Sequence, residues 1–123
     1  MLVFQEPDKR RYQIKAYDEH SIEIGGMRYT ETLIITPQEL ITTGLPSTYQ
    51  DLTWEHVQPL LNQSPDILLI GTESQARALP TFLIEKLAQQ QIGVECMSMK
   101  AACRSYMALC ADDRNIAAIL FIR

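Results

Sequence analysis

The run Asp66-Ile67-Leu68-Leu69-Ile70-Gly71-Thr72 decides how this chain folds. Four consecutive aliphatic residues leave no polar face, which is the pattern of a strand covered on both sides of a sheet. Gly71-Thr72 reads as the break that ends it. Downstream, Leu79, Leu83 and Leu87 recur at helical spacing and Pro80 suits a first turn, so a helix is predicted around Pro80 to Gln90. Gly93 lies just past that helix, and Val94-Glu95-Cys96 begins a second strand. A second helix from about Ala101 to Ala111 and a last strand from Ile116 to Ile122 complete a β-α-β-α-β series. Its short connections predict three parallel strands joined by right-handed crossovers.

Upstream the rhythm is that of antiparallel β structure. Ile22 and Ile24 alternate with Ser21 and Glu23, and Gly25-Gly26 offers the two positive-φ residues of a tight hairpin turn. The return strand is expected to run from about Met27 to Ile35, ending before Pro37, with a short strand over Glu39 to Thr42. Tyr12, Ile14 and Ala16 alternate with Gln13 and Lys15, which predicts a further strand over Tyr12 to Tyr17. Between the halves, Thr53 is a plausible N-cap for a segment carrying Trp54, Val57, Leu60 and Leu61. Pro59 falls inside that segment, so two short turns compete with one helix. The predicted fold class is α/β: an N-terminal antiparallel β layer with its hairpin at Gly25-Gly26, then β-α-β-α-β with a parallel sheet, all in one domain over residues 1–123.

Composition narrows the function classes. The 123 residues are 46% hydrophobic and 21% charged, enough apolar material for a core without metal or disulfide staples. With 11 Lys and Arg against 15 Asp and Glu, the net charge of −4 argues against a dedicated nucleic-acid binder. No apolar run reaches the length of a membrane span. Met1-Leu2-Val3-Phe4 is too short for a signal peptide and is followed by Glu6 and Asp8, so a cytoplasmic location without membrane insertion is expected. The odd set Cys96, Cys103 and Cys110 suits a reducing compartment.

Tests for site chemistry favour bland readings. His20 and His56 have no Cys or carboxylate at zinc-ligand spacing, so no metal or cofactor is expected. Cys103 and Cys110 share a helical stripe with Met99 and Tyr106, which reads as packing. Gly71-Thr72-Glu73-Ser74 follows a buried strand, where α/β domains hold anionic ligands, yet it matches neither phosphate-loop pattern. Charge is unevenly spread. Tyr29 through Ala76 contains six acids and no Lys or Arg, whereas bases gather at Lys9, Arg10, Arg11 and Lys15 and again at Lys100, Arg104, Arg114 and Arg123. Such patches suit a protein partner or a homodimer, and Trp54, in the acidic stretch, is a candidate interface anchor.

The passage Glu95-Cys96-Met97-Ser98-Met99-Lys100-Ala101-Ala102-Cys103-Arg104-Ser105-Tyr106-Met107-Ala108-Leu109, followed by Asp112-Asp113-Arg114-Asn115-Ile116-Ala117-Ala118, carries a resemblance. It resembles the family of small α/β domains of unknown function that includes the mitochondrial complex I assembly factor three. That family's pattern reads approximately E-V-M-D-T-x-A-A-C-R-T-Y-N-x-L, then E-G-R-x-V-A-A-A-L. Tyr29, Trp54, Ile67 to Thr72 and Pro80 fall in the family's order. Ser98, Met99 and Met107 replace polar positions of the pattern, and Glu73 stands where a glycine is usual, while Arg104, Ser105, Tyr106 and Arg114 remain. The resemblance implies a non-enzymatic, assembly-type protein acting through a protein partner. Its candidate site is the cluster Arg104, Ser105, Tyr106 and Arg114, with Gly71 and Thr72 at the strand end. The alternative is a small-molecule binder or enzyme that pairs Arg104 or Arg114 with an anionic ligand beyond the parallel strands.

Overall fold

The computed structural model describes residues 12–72 and 79–122. Two sheets organise them. The first contains β1 (Ile14–Tyr17), β2 (Ile22–Ile24) and β3 (Met27–Tyr29) in antiparallel order. Gly25 and Gly26 turn the hairpin with φ of 59° and 82°, as a tight turn of this hand requires. The second sheet has five strands: β4 (Leu33–Ile35), β5 (Leu40–Ile41), β6 (Ile67–Thr72), β7 (Gly93–Ser98) and β8 (Ile116–Leu120). Their spatial order is β5-β4-β8-β6-β7. β6 pairs in parallel with β7 and β8, and β4 runs antiparallel to β8. The fold is therefore a mixed α/β architecture with an antiparallel N-terminal layer.

Three helical segments matter. A single turn, α1 (Trp54–Val57), passes into a 3-10 segment over Gln58–Gln63, where Pro59 prevents a continuous α-helix. Thr53 N donates to His56 Nδ1 at 2.9 Å and opens the turn. α2 (Thr81–Gln89) starts after Pro80 and joins β6 to β7; α3 (Met99–Ala111) joins β7 to β8. The five-stranded sheet is apolar on both faces. One face, with Leu33, Ile35, Leu69, Ala118 and Leu120, packs against α3 and against Ile14, Ile22 and Ile24 of the small sheet. The other, with Ile34, Leu68, Ile70, Ala117 and Ile119, packs against Val57, Leu60, Leu83 and Leu87.

Four local expectations are corrected. Gly71-Thr72 does not break β6; the strand continues through both residues in register with Met97 and Ser98. The predicted strand from Met27 to Ile35 is two strands in two sheets, parted at Thr30-Glu31-Thr32. The register shifts between Ile14 and Ala16, a bulge that turns Ala16 outward instead of beside Ile14. α3 begins at Met99, a half-turn before the expected start, because the Ser98 hydroxyl accepts from Ala101 N at 3.2 Å. Residues 1–11, 73–78 and 123 lie outside the described residues, and with them the expectations placed on Met1 to Phe4, Lys9, Arg10, Arg11, Glu73, Ser74 and Arg123.

Candidate functional site

The parallel strands β6, β7 and β8 end along one edge of the sheet. There Gly71 lies beside Met97 and Leu120, and Phe121 N donates to Gly71 O at 2.8 Å. α3 descends directly onto Gly71. A Cβ added there would come within 2.8 Å of Ala102 Cβ and 2.9 Å of Met99 Cα. Glycine is required at this position by proximity, not by backbone conformation. Thr72 is buried beside it, its hydroxyl donating to Met97 O at 3.4 Å.

The motif on α3 divides by face. Met99, Ala102, Cys103, Tyr106 and Cys110 point into the core. Tyr106 is among the largest fully buried side chains, and its hydroxyl donates to Tyr12 O at 2.9 Å, tying the helix to the chain entering β1. Burial holds that phenol protonated well above its ordinary range. Burial also pushes the Cys103 thiol up to about 12, against a small opposing pull from the charge of Arg104. A thiol held protonated at neutral pH has no nucleophilic thiolate to offer. On the outer face stand Lys100, Arg104, Met107 and Ala108, with Lys100 Nζ 3.9 Å from Glu19 Oε1. Ser105 is half-buried on the flank, its Oγ 3.6 Å from Met97 Sδ.

The predicted cluster is not a cluster. Arg104 and Ser105 sit in the second turn of α3, near the edge that holds Gly71 and Thr72. Arg114 follows the far end of the helix, beside Asn115, whose carbonyl accepts from Asp66 N just before β6 begins. From Arg104 to the helix end at Ala111 the rise is roughly 10 Å, and a turn follows before Arg114. Among the described residues Arg104 meets neither Asp112 nor a carbonyl near Gly71. Arg114 lines a separate, open depression of about 590 Å³ with Asn62, Gln63 and Asp113. Tyr106 borders a small groove of about 170 Å³ with Gln13, Ile14, Met107 and Cys110. Trp54 is half-buried at the margin of the second core, with Lys86 Nζ 5.2 Å from its ring centroid. Among the described residues no three His, Cys, Asp or Glu side chains converge to hold a metal ion.

A cleft that the sequence pattern does not announce opens on the same edge as Gly71. It measures about 420 Å³ and lies between Thr30-Glu31-Thr32, entering β4, and Thr42 to Ser47, leaving β5. Only the β4–β5 hairpin brings these two polar stretches together, so no local periodicity marks them.

Residues 14–121 match the model of a family described as protein of unknown function (DUF498/DUF598). The chain belongs to this family. A Francisella tularensis protein named the 13 kDa major membrane protein is 30% identical over 71 residues, 58% of each chain. The Bos taurus NADH dehydrogenase [ubiquinone] 1 alpha subcomplex assembly factor 3 is 26% identical over 109 residues, 87% of this chain and 59% of that protein. The chain thus spans under three-fifths of the length of these two relatives. A crystal structure of a Bordetella parapertussis protein superposes with a TM-score of 0.85 at 24% identity, covering 95% of this chain and all of that one, a likeness of fold. No helix among the described residues is long and apolar enough to cross a membrane.

Proposed function

We propose that this chain is a non-enzymatic, protein-binding factor of assembly type that acts in the cytoplasm. The observation that carries the reading is the free edge of β7. Among the described residues this six-residue strand ends the sheet and pairs only with β6, and it is half-exposed along most of its length. An edge of this kind is usually blunted by charges, Pro or a bulge; β7 has no Pro, Lys or bulge and a single charge, Glu95. It therefore offers backbone donors and acceptors to a strand from another protein. Lys100 and Arg104, on the adjoining outer face of α3, supply the charge that would orient an acidic partner. The assembly-factor relative supports the same reading, and assembly of an NADH dehydrogenase is the first client to test.

The experiment is purification of the tagged full chain from its native cells, beside a Lys100→Glu/Arg104→Glu variant, with NADH dehydrogenase assembly followed after deletion. A stoichiometric partner recovered by the parent and lost by the variant is the expected result. Recovery of no stoichiometric partner, with dehydrogenase assembly normal in the deletion strain, sinks the proposal.

A further inference from the structure

The cleft between β4 and β5 has a physical peculiarity. Thr32, in its wall, is only 6% exposed, and its Oγ1 is shielded from solvent without a hydrogen-bond partner. It is the one buried side-chain polar atom in that condition among the described residues. A hydroxyl left unpaired in the interior destabilises the fold, so its retention calls for an explanation.

Position supplies one. Thr32 immediately precedes Leu33, which pairs with Leu120 near the end of β8. The cleft therefore lies beyond the carboxyl end of β8, one of the parallel strands, on the side of the sheet where open α/β folds bind their ligands. Its volume, about 420 Å³, falls within the range of small-molecule sites. Composition then narrows the ligand. Thr30, Thr32, Thr42, Thr43 and Ser47 contribute hydroxyls, each able to donate and to accept. Leu45, Pro46 and Ile122 form an apolar wall. Among the described residues Glu31 is the only ionisable side chain lining the cleft, so an anion would meet a carboxylate and no compensating cation from them. Arg28, in the adjoining recess, is engaged by Asp18 and Ser21.

We propose that this cleft is a binding site for a small neutral or cationic polyol of about monosaccharide size. Ligand hydroxyls pair with the threonine rim, and the carbon skeleton lies against Pro46 and Ile122. A rotation of the Thr32 side chain turns its shielded hydroxyl into the cleft as a ligand partner takes up its unmet bond. The site is separate from the β7 edge, so it can stand or fall independently of the partner-binding role.

The test is a two-dimensional amide NMR titration of the full chain with glucose, glucosamine and glucose 6-phosphate. Saturable shifts are expected at Thr30 to Leu33 and Thr42 to Leu45 with the first two sugars. Glucosamine should bind more tightly than glucose at low salt, and Glu31→Gln should remove that difference. Thr32→Val should weaken binding at least tenfold without lowering the melting temperature, because the hydroxyl it removes has no partner in the free protein. Thr32→Ser should keep the affinity. Absence of saturable shifts, tightest binding by the sugar phosphate, or unaltered binding by Thr32→Val would each overturn the proposal. So would a marked loss of stability in Thr32→Val, since the hydroxyl would then already be satisfied.

Discussion

The two faces of the five-stranded sheet are covered in different ways. On one, the 13-residue α3 buries five side chains, rests backbone-close on Gly71 and is tied through Tyr106 to the chain before β1. On the other, the nine-residue α2 buries only Leu83 and Leu87, and leaves Phe82 and Ile84 exposed at 37% and 45%. Both faces are apolar, so hydrophobicity alone does not explain the difference. Close approach does: small residues at Gly71 and Ala102 let α3 sit tightly, and every neighbouring side chain is then constrained in size. The distinctive motif lies on that tight face. Its Ala102, Cys103 and Tyr106 serve packing, and only its outward residues, Arg104 above all, remain free to meet a partner.

If the α3 face is the constrained one, its largest vulnerability is Tyr106. Tyr106→Ala is expected to cost about 4 kcal/mol, from the lost burial and the cavity left behind. Urea unfolding monitored by circular dichroism measures it; a cost near that of an exposed substitution would dissolve the distinction between the faces. Gly71→Ala comes next, at about 2 kcal/mol, because the new Cβ meets Ala102 Cβ and the Met99 backbone at once and neither is a flexible side-chain end. Pairing Gly71→Ala with Ala102→Gly should recover part of that loss, which a conformational strain at Gly71 would not allow.

These two positions also show what was legible in the sequence. The β-α-β-α-β series could be read because Ile67 to Ile70 is apolar without interruption and Leu83 and Leu87 keep helical spacing. Gly71 was misread as a breaker because a glycine that admits a helix looks, in sequence, like one that ends a strand. The switch between sheets at Thr30 to Thr32 was hidden because Thr-Glu-Thr contains no Gly or Pro to mark a break. The candidate site fared worse. Arg104 and Arg114 are ten positions apart in sequence, but two turns of helix carry them away from each other into different surroundings. Thr32 and Thr43 are about as far apart in sequence, yet the β4–β5 hairpin brings their stretches together around one cleft. Helical rise in one case and hairpin pairing in the other decide the outcome, and neither is written in local composition.

A third effect belongs to pH. The folded Cys103 thiol holds its proton to about 12, above the ordinary 9.0, because burial disfavours the thiolate. The folded state therefore binds more protons than the unfolded state between these values. The contribution is complete below pH 9 and is lost as pH rises from 9 towards 12, at no more than about 1.4 kcal/mol per pH unit. Denaturation curves at stepped alkaline pH should show Cys103→Ala falling less steeply than the parent. Equal slopes would mean that the thiol is not closed off beneath α3.

The smallest expected effect sharpens the comparison most. Phe82 and Ile84 are large apolar residues on a helix, and composition alone would place them in a core. Both are more than a third exposed, so replacing them with polar helix formers removes little buried surface. Phe82→Gln and Ile84→Gln are each expected to change stability by no more than about 0.5 kcal/mol, as exposed substitutions do. Leu83→Ala, between them and fully buried, should cost about 3 kcal/mol. That contrast between adjacent residues tests whether α2 covers its face through one narrow stripe. A cost near 2 kcal/mol at Phe82 or Ile84 would show instead that the second face is as closed as the first. The exclusive role of α3 as the tight side would then have to be given up.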